Sequence, residues 1–200
     1  ELVSMEALAR WQKSDGTFVS PEEFIPLFES SGFITRFDMY IWKSVCKTLA
    51  AWQDKGCKLV PISINVSMID ITNIDVPQYL SMLTEQYHIS PEYLPVEITE
   101  SVFAESNTIV KNTITRFHKK GFYVLMDDFG SGYSSLNVLK DANVDYLKLD
   151  MKFMQIDAKN KGKGIQILKS IVDMAYRLGL VIIAEGVETK EQSEILKSMN

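Results

Sequence analysis

A (β/α) barrel of the α/β class is the fold this sequence predicts, on three observations. Short apolar stretches of strand character begin near residues 59, 94, 122, 144 and 180, about 20 to 35 residues apart. Each gap carries a helical pattern, which makes the strands parallel with helical crossovers. Polar residues close these stretches: Glu6, Asn65, Glu97, Asp127, Asp128, Glu185 and Glu188, with Lys148 in a similar place. Strand ends of a βα repeat converge on one face, where such folds carry their chemistry. No glycine-rich phosphate loop follows the first strand, which argues against a dinucleotide fold.

The elements follow in order. Leu2–Trp11 reads as a strand, and the KSDG of Lys13–Gly16 as a turn. Ser20, Pro21 and Glu23 have the pattern of a capped helix start, and that helix ends at Gly32. Phe37–Lys55 is a long amphipathic helix with Tyr40, Ile41, Val45, Leu49 and Trp52 at helical spacing, stopped by Gly56. Lys58–Val66 is a strand in which Pro61 marks an edge, a bulge or the strand start. Pro77–Tyr87 is a helix and Pro91 opens a turn. Strands Leu94–Glu100, Phe122–Phe129, Val144–Asp150 and Leu180–Val187 then alternate with helices Asn107–Lys120, Tyr133–Lys140, Gly164–Leu178 and Lys190–Met199. Counting gives six strands, so about two are expected outside these residues.

Composition narrows the function. The 200 residues are 46% hydrophobic, enough for one substantial core, and residues 1–200 read as a single domain incomplete at both ends. A net charge of −5 disfavours non-specific duplex binding, so no DNA or RNA polymer is expected as partner. Cys46 and Cys57 lie in no CxxC or histidine pattern, which speaks against zinc and for inert thiols. No stretch is long and apolar enough for a membrane helix. Glu1 is not an initiator, so a longer chain is expected.

The polar strand ends suggest a site for divalent metal, since carboxylate and amide oxygens suit hard cations. Asp127 and Asp128 sit where the strand meets Gly130, so both can matter although neighbours on a strand face opposite ways. One can bridge two ions while the other binds one. The competing reading is an exposed acidic pair before a turn. Glu97 faces away from Val96 and Ile98, and a charge there needs a metal or a cation. Glu100 would brace the loop at 129–135 by accepting backbone N–H groups. Asn65 offers a neutral oxygen, or it satisfies a turn. Lys148 and Asp150 share one strand face, either to balance carboxylates and hold water or as a structural pair. Glu185 and Glu188 flank Gly186, as ligand or proton acceptor and as loop anchor, or as an acidic helix start. Glu6, Leu8 and Arg10 share a face of the first strand: a ligand, an apolar contact and a phosphate-binding guanidinium. His88, His118, Trp11, Trp42, Trp52, the methionines and the NKGKG of Asn160–Gly164 read as structural or solvated.

Taken together, EALAR, NVS, EITE, DDFGSGYSSL, LKLD and AEGVET, with SPEEFIP and ITESVF, resemble the EAL-domain family of cyclic di-GMP phosphodiesterases, in the family's order over nearly the whole chain. The resemblance implies a TIM-like barrel with one antiparallel strand. It implies hydrolysis of cyclic di-GMP to linear pGpG with Mg²⁺ or Mn²⁺, two per site, and inhibition by Ca²⁺. By motif, Glu6, Asn65, Glu97, Asp127, Asp128 and Glu185 would be metal ligands, with Asp127 bridging. Lys148 would hold the nucleophilic water, with Glu185 and Glu6 also counted in the catalytic set. Leu8, Arg10 and Asp150 would meet substrate, and Glu100 and Glu188 would support the loop after Asp128. That loop resembles the family's dimerisation loop, so a homodimer is expected. A diguanylate cyclase-like or sensor domain elsewhere, and a cytoplasmic location with possible membrane tethering of the full protein, are also expected. Ala9 departs from the usual leucine before arginine. The family's first strand and its closing segment, with a glutamine near the substrate, would lie outside these 200 residues, whose open strand edges should be unstable alone. The rival is a non-catalytic cyclic di-GMP receptor, and a third reading is a purely structural interaction domain.

Overall fold

The computed structural model describes residues 1–105, 107–130, 139, 142–150 and 161–199. It divides into two compact units, Glu1–Glu97 with Thr108–Tyr123, and Ile98–Asn107 with Val124–Asn200.

In the first unit, β1 (Met5–Glu6) pairs in parallel with β4 (Ile62–Asn65), and β4 pairs in parallel with the first half of β5 (Val96–Thr99). The expected strand Leu2–Trp11 thus shrinks to two residues, paired with Ile62 and Ser63, and its last residue, Trp11, belongs to the next strand. A two-stranded antiparallel ribbon follows, β2 (Trp11–Gln12) with β3 (Phe18–Val19), around the KSDG turn. Helix α1 (Pro21–Ser30) starts after Ser20, yet the Ser20 side chain makes no cap bond; its carbonyl accepts from Glu23 and Phe24.

Helix α2 (Ile34–Asp54) begins earlier than its periodicity indicated. It buries Trp42, Val45, Cys46 and Leu49, while Tyr40 points outward. Gly56 terminates it at φ 69°, in the left-handed region that favours glycine. Trp11, Phe24, Phe28, Phe33 and Phe37 stack edge and face, fastening the ribbon to α1 and α2. Pro61 precedes β4, so its missing N–H costs no ladder bond, and its carbonyl accepts from Met5. Helix α3 (Met68–Asn73) opens with a capping box of Ser67 and Asp70, and α4 (Val76–Tyr87) is capped by Asp75. A 3₁₀ turn at Pro91–Tyr93 leads into β5. Most of α6 (Asn107–Lys119) belongs to this unit, where Arg116 pairs with Asp75.

In the second unit, β5 runs straight into α5 (Glu100–Glu105), so Glu100 opens a helix instead of closing a strand. β6 (Val124–Phe129), β7 (Tyr146–Asp150) and β8 (Val181–Glu185) pair in parallel, over a core that includes Met126, Phe129, Leu147 and Leu149. Helix α7 (Lys161–Arg177) precedes β8, and α8 (Lys190–Lys197) follows it behind a second capping box, Thr189 with Gln192. Lys161–Gly164, read as loop, are the first turn of α7. The expected helix Tyr133–Lys140 lies outside the described residues except for Leu139.

Candidate active site

Parallel pairing in the first unit gathers one polar set. Asn65 stands opposite Glu97 across β4 and β5, so their side chains leave the same face. Glu6 stands opposite Ser63, two residues before Asn65, and joins that face. Asn65 Nδ2 donates to Glu6 Oε1 at 3.2 Å, which leaves the amide oxygen as the remaining acceptor. Glu97 is 1% exposed, and a carboxylate so buried needs a partner. The Asn65 carbonyl accepts the indole N–H of Trp42 at 3.0 Å. Trp42 read as a packing residue; nothing in the helix pattern marks that its N–H reaches β4.

Leu8 and Arg10 lie beyond the end of β1 and are exposed, so strand alternation does not align them with Glu6. Arg10 borders a cleft of about 500 Å³ with Phe18, Val19, Ser20 and Pro21. Of these, Ser20 and Pro21 were legible only as a helix start, and Phe18 and Val19 carried no signal in the sequence.

The second unit gathers another set around one cation. Lys148 Nζ lies 3.2 Å from Asp127 Oδ1 and 2.9 Å from Glu185 Oε1. Its side chain is 3% exposed, against 12% for Asp127 and 35% for Glu185. A β-bulge delivers the aspartates. Met126 pairs with Leu147 and Phe129 with Leu149, so Asp127 and Asp128 together stand opposite Lys148. Two residues against one put both acids on the face that Lys148 uses. Asp128 takes the left-handed conformation at φ 56°, and its N–H donates to Asp127 Oδ1 at 2.8 Å. Alternation with a turn at Gly130 was the expected device; the bulge is the one present, and Phe129 stays buried in the strand.

Glu100 Oε2 accepts the Gly130 N–H at 3.0 Å. Glu188 is exposed; its own N–H donates to Gln192, and its side chain makes no hydrogen bond or ion pair among the described residues. Asp150 stands opposite Glu185 in the backbone register, and its side chain lies outside the described residues.

Among the described residues, no three His, Cys, Asp or Glu side chains are grouped closely enough to hold a metal ion by themselves. The donor chemistry nevertheless suits a hard divalent cation: all the acids offer oxygen, Asn65 adds a neutral one, and Asp127 and Glu185 already converge on one positive charge.

Parallel strands with helical crossovers, carrying acids at their C-terminal ends, define an α/β domain of the TIM-like class. The chain belongs to the EAL domain family, which it matches over residues 1–200. It is 36% identical over 198 residues to the probable cyclic di-GMP phosphodiesterase PdeB of Escherichia coli, covering 98% of this chain and 37% of that protein. It is 33% identical over 200 residues to the oxygen sensor protein DosP of the same organism, covering 100% of this chain and 25% of that protein. The chain therefore spans between a quarter and two-fifths of these curated relatives. The solved PaMucR phosphodiesterase in complex with c-di-GMP matches with a TM-score of 0.91 at 28% identity, covering 100% of this chain and 81% of that one. No helix among the described residues is long and apolar enough to cross a membrane.

Proposed function

We propose that this chain hydrolyses cyclic di-GMP to linear pGpG. The observation that carries the reading is the buried Lys148 ammonium between Asp127 and Glu185 at neighbouring strand ends, in a chain of the EAL family. A relative whose name is that of a probable cyclic di-GMP phosphodiesterase supports the substrate.

The reaction is an in-line displacement. Water adds to phosphorus and loses a proton, and the ribose 3′ oxygen leaves and gains one. Lys148 orients the attacking water through its N–H donors, and Asp127 and Glu185 keep that ammonium in place. Glu185 accepts the water's proton. Arg10, beside its cleft, binds non-bridging phosphate oxygens through its planar fork. Leu8 packs against the nucleotide and Asp150 contacts it. Glu100 holds the backbone that follows the aspartates through Gly130, and Glu188 is placed in the same supporting role. Glu6, Asn65, Glu97, Asp127, Asp128 and Glu185 would hold Mg²⁺ or Mn²⁺, two ions per site, with Glu6 in the catalytic set. Such ions, when bound, offset the acids' charge against a phosphodiester and lower the pKa of water.

Single-domain organisation over residues 1–200, a homodimer through the segment after Asp128, a diguanylate cyclase-like or sensor domain elsewhere, and a cytoplasmic location with or without a tether belong to the same proposal. The greater length of the relatives supports further domains. The test incubates the intact protein with cyclic di-GMP and Mg²⁺, Mn²⁺ or EDTA, followed by chromatography of the nucleotides. Metal-dependent pGpG is expected. Binding without cleavage in any metal would replace the enzyme by a receptor.

A further inference from the structure

Two acids of the first unit meet: Asp38 on α2 and Asp70 in the first turn of α3. Asp70 is fully buried. Its Oδ2 accepts the Ser67 N–H at 2.9 Å and the Ser67 hydroxyl at 2.7 Å. Its Oδ1 is buried and has no hydrogen-bond partner among the described residues. Leaving such an oxygen unsatisfied is costly, and a native fold normally supplies a donor. The neighbouring side chain is the Asp38 carboxyl, which can donate only if it carries a proton.

We infer that the Asp38 carboxyl carries a proton and donates it to the orphan Asp70 Oδ1, and that this contact is a positioning device for the β4–α3 turn that presents Asn65. The link to the turn is direct. Ser67, capped by Asp70, is two residues beyond Asn65. α2 also holds the turn through Trp42 Nε1 on the Asn65 carbonyl, and it ties down the far end of α3 through Thr35 Oγ1, which accepts from Asn73 Nδ2 at 3.2 Å. Burial pushes the Asp38 carboxyl up to about 8, helped by the charge and hydrogen bond of Asp70 and by Glu29 on α1. Both of these charged neighbours are acids. The folded protein keeps this proton from about pH 4 up to about 8, whereas the unfolded chain releases it near 4. Stability therefore falls as pH rises through that window and levels off above it.

The inference deepens the proposed site, because it rests on Asn65 as one of its donors; the readouts use no turnover, so they succeed or fail independently of the phosphodiesterase reading. The intact protein is labelled with ¹³C at aspartate carboxyls and ¹⁵N at asparagine side chains and titrated by NMR. Asp38 should titrate with a midpoint near 8, and the Asn65 amide signals should follow the same midpoint. In Asp38→Asn the Asn65 signals should stay flat over that range. Melting temperature should fall more steeply from pH 5 to 8.5 in the parent than in Asp38→Asn, with the variant the more stable at pH 8.5. If that variant fails to fold, Asp70→Asn serves: removing the opposing charge should move the Asp38 midpoint down. An Asp38 midpoint in the ordinary carboxylate range, Asn65 signals blind to it, or parallel melting curves would each overturn the inference.

Discussion

Lys148→Met removes a buried cation and leaves its two acids facing each other. Lys148 and Asp127 are 3% and 12% exposed at 3.2 Å, so their pair is essentially buried. Breaking a buried pair from one side costs about 3–5 kcal/mol, because the remaining charge stays desolvated. Glu185 is 35% exposed and can turn to water, so its 2.9 Å contact is screened and contributes at most about 1 kcal/mol. Methionine nearly conserves volume and adds little cavity cost. The expected loss is about 3 kcal/mol. At about 2–4 °C per kcal/mol for a domain of this size, the melting temperature falls by about 6–12 °C. Urea denaturation followed by far-ultraviolet circular dichroism measures the loss at pH 7.5. Adding Asp127→Asn should recover most of it. A loss below about 1 kcal/mol, or no recovery in the double variant, would refute the idea that Lys148 neutralises Asp127.

The remaining expectations concern separate devices. Glu6→Ala should abolish metal-dependent cleavage of cyclic di-GMP while circular dichroism stays unchanged; undiminished turnover would remove Glu6 from the site. Trp42→Phe loses the hydrogen bond to the Asn65 carbonyl and should cost about 1 kcal/mol in urea denaturation. Asp128→Val forces a β-branched residue into φ 56° and should cost about 1–3 kcal/mol, whereas Asp128→Gly should be close to neutral; equal losses would show that the bulge does not require that conformation. Burial pushes the Cys46 thiol up to about 12 while Cys57 is exposed, so a thiol reagent at pH 8 should label one cysteine in the native protein and two in urea.

Helix ends were legible wherever glycine or proline made them: Pro21 opens α1, and Gly56, Gly121 and Gly179 all take positive φ just beyond helices. Helix α3 escaped because six residues are too few for a periodic signal, although Ser67 and Asp70 formed a readable capping pair. The first strand was overextended because apolar residues run through Leu2–Trp11, while the point where the chain leaves β4 after Glu6 carries no local signal. Both cysteines read as buried or inert thiols; Cys46 is buried on α2 and Cys57, beyond the helix end, is exposed. The polar strand ends were legible because each breaks an apolar run. The residues that hold them were not, because Trp42 reaches Asn65 from a distant helix and looks, in sequence, like any other core tryptophan.

The two adjacent aspartates state most clearly what pattern alone leaves open. In a regular strand, Asp127 and Asp128 would face opposite ways, and one of them would enter the layer that holds Met126, Leu147 and Leu149. An isolated carboxylate there would be too costly to keep ionised. Placing both opposite Lys148 requires one extra residue in β6 and one residue at positive φ. Aspartate tolerates that conformation better than the branched residues common in strands, and Asp127 stabilises it by accepting the Asp128 N–H. The same residue types that would coordinate a cation therefore also build the backbone irregularity that aims them, so substitutions at Asp128 separate the two roles: Asp128→Asn preserves the tolerated conformation and removes only the charge.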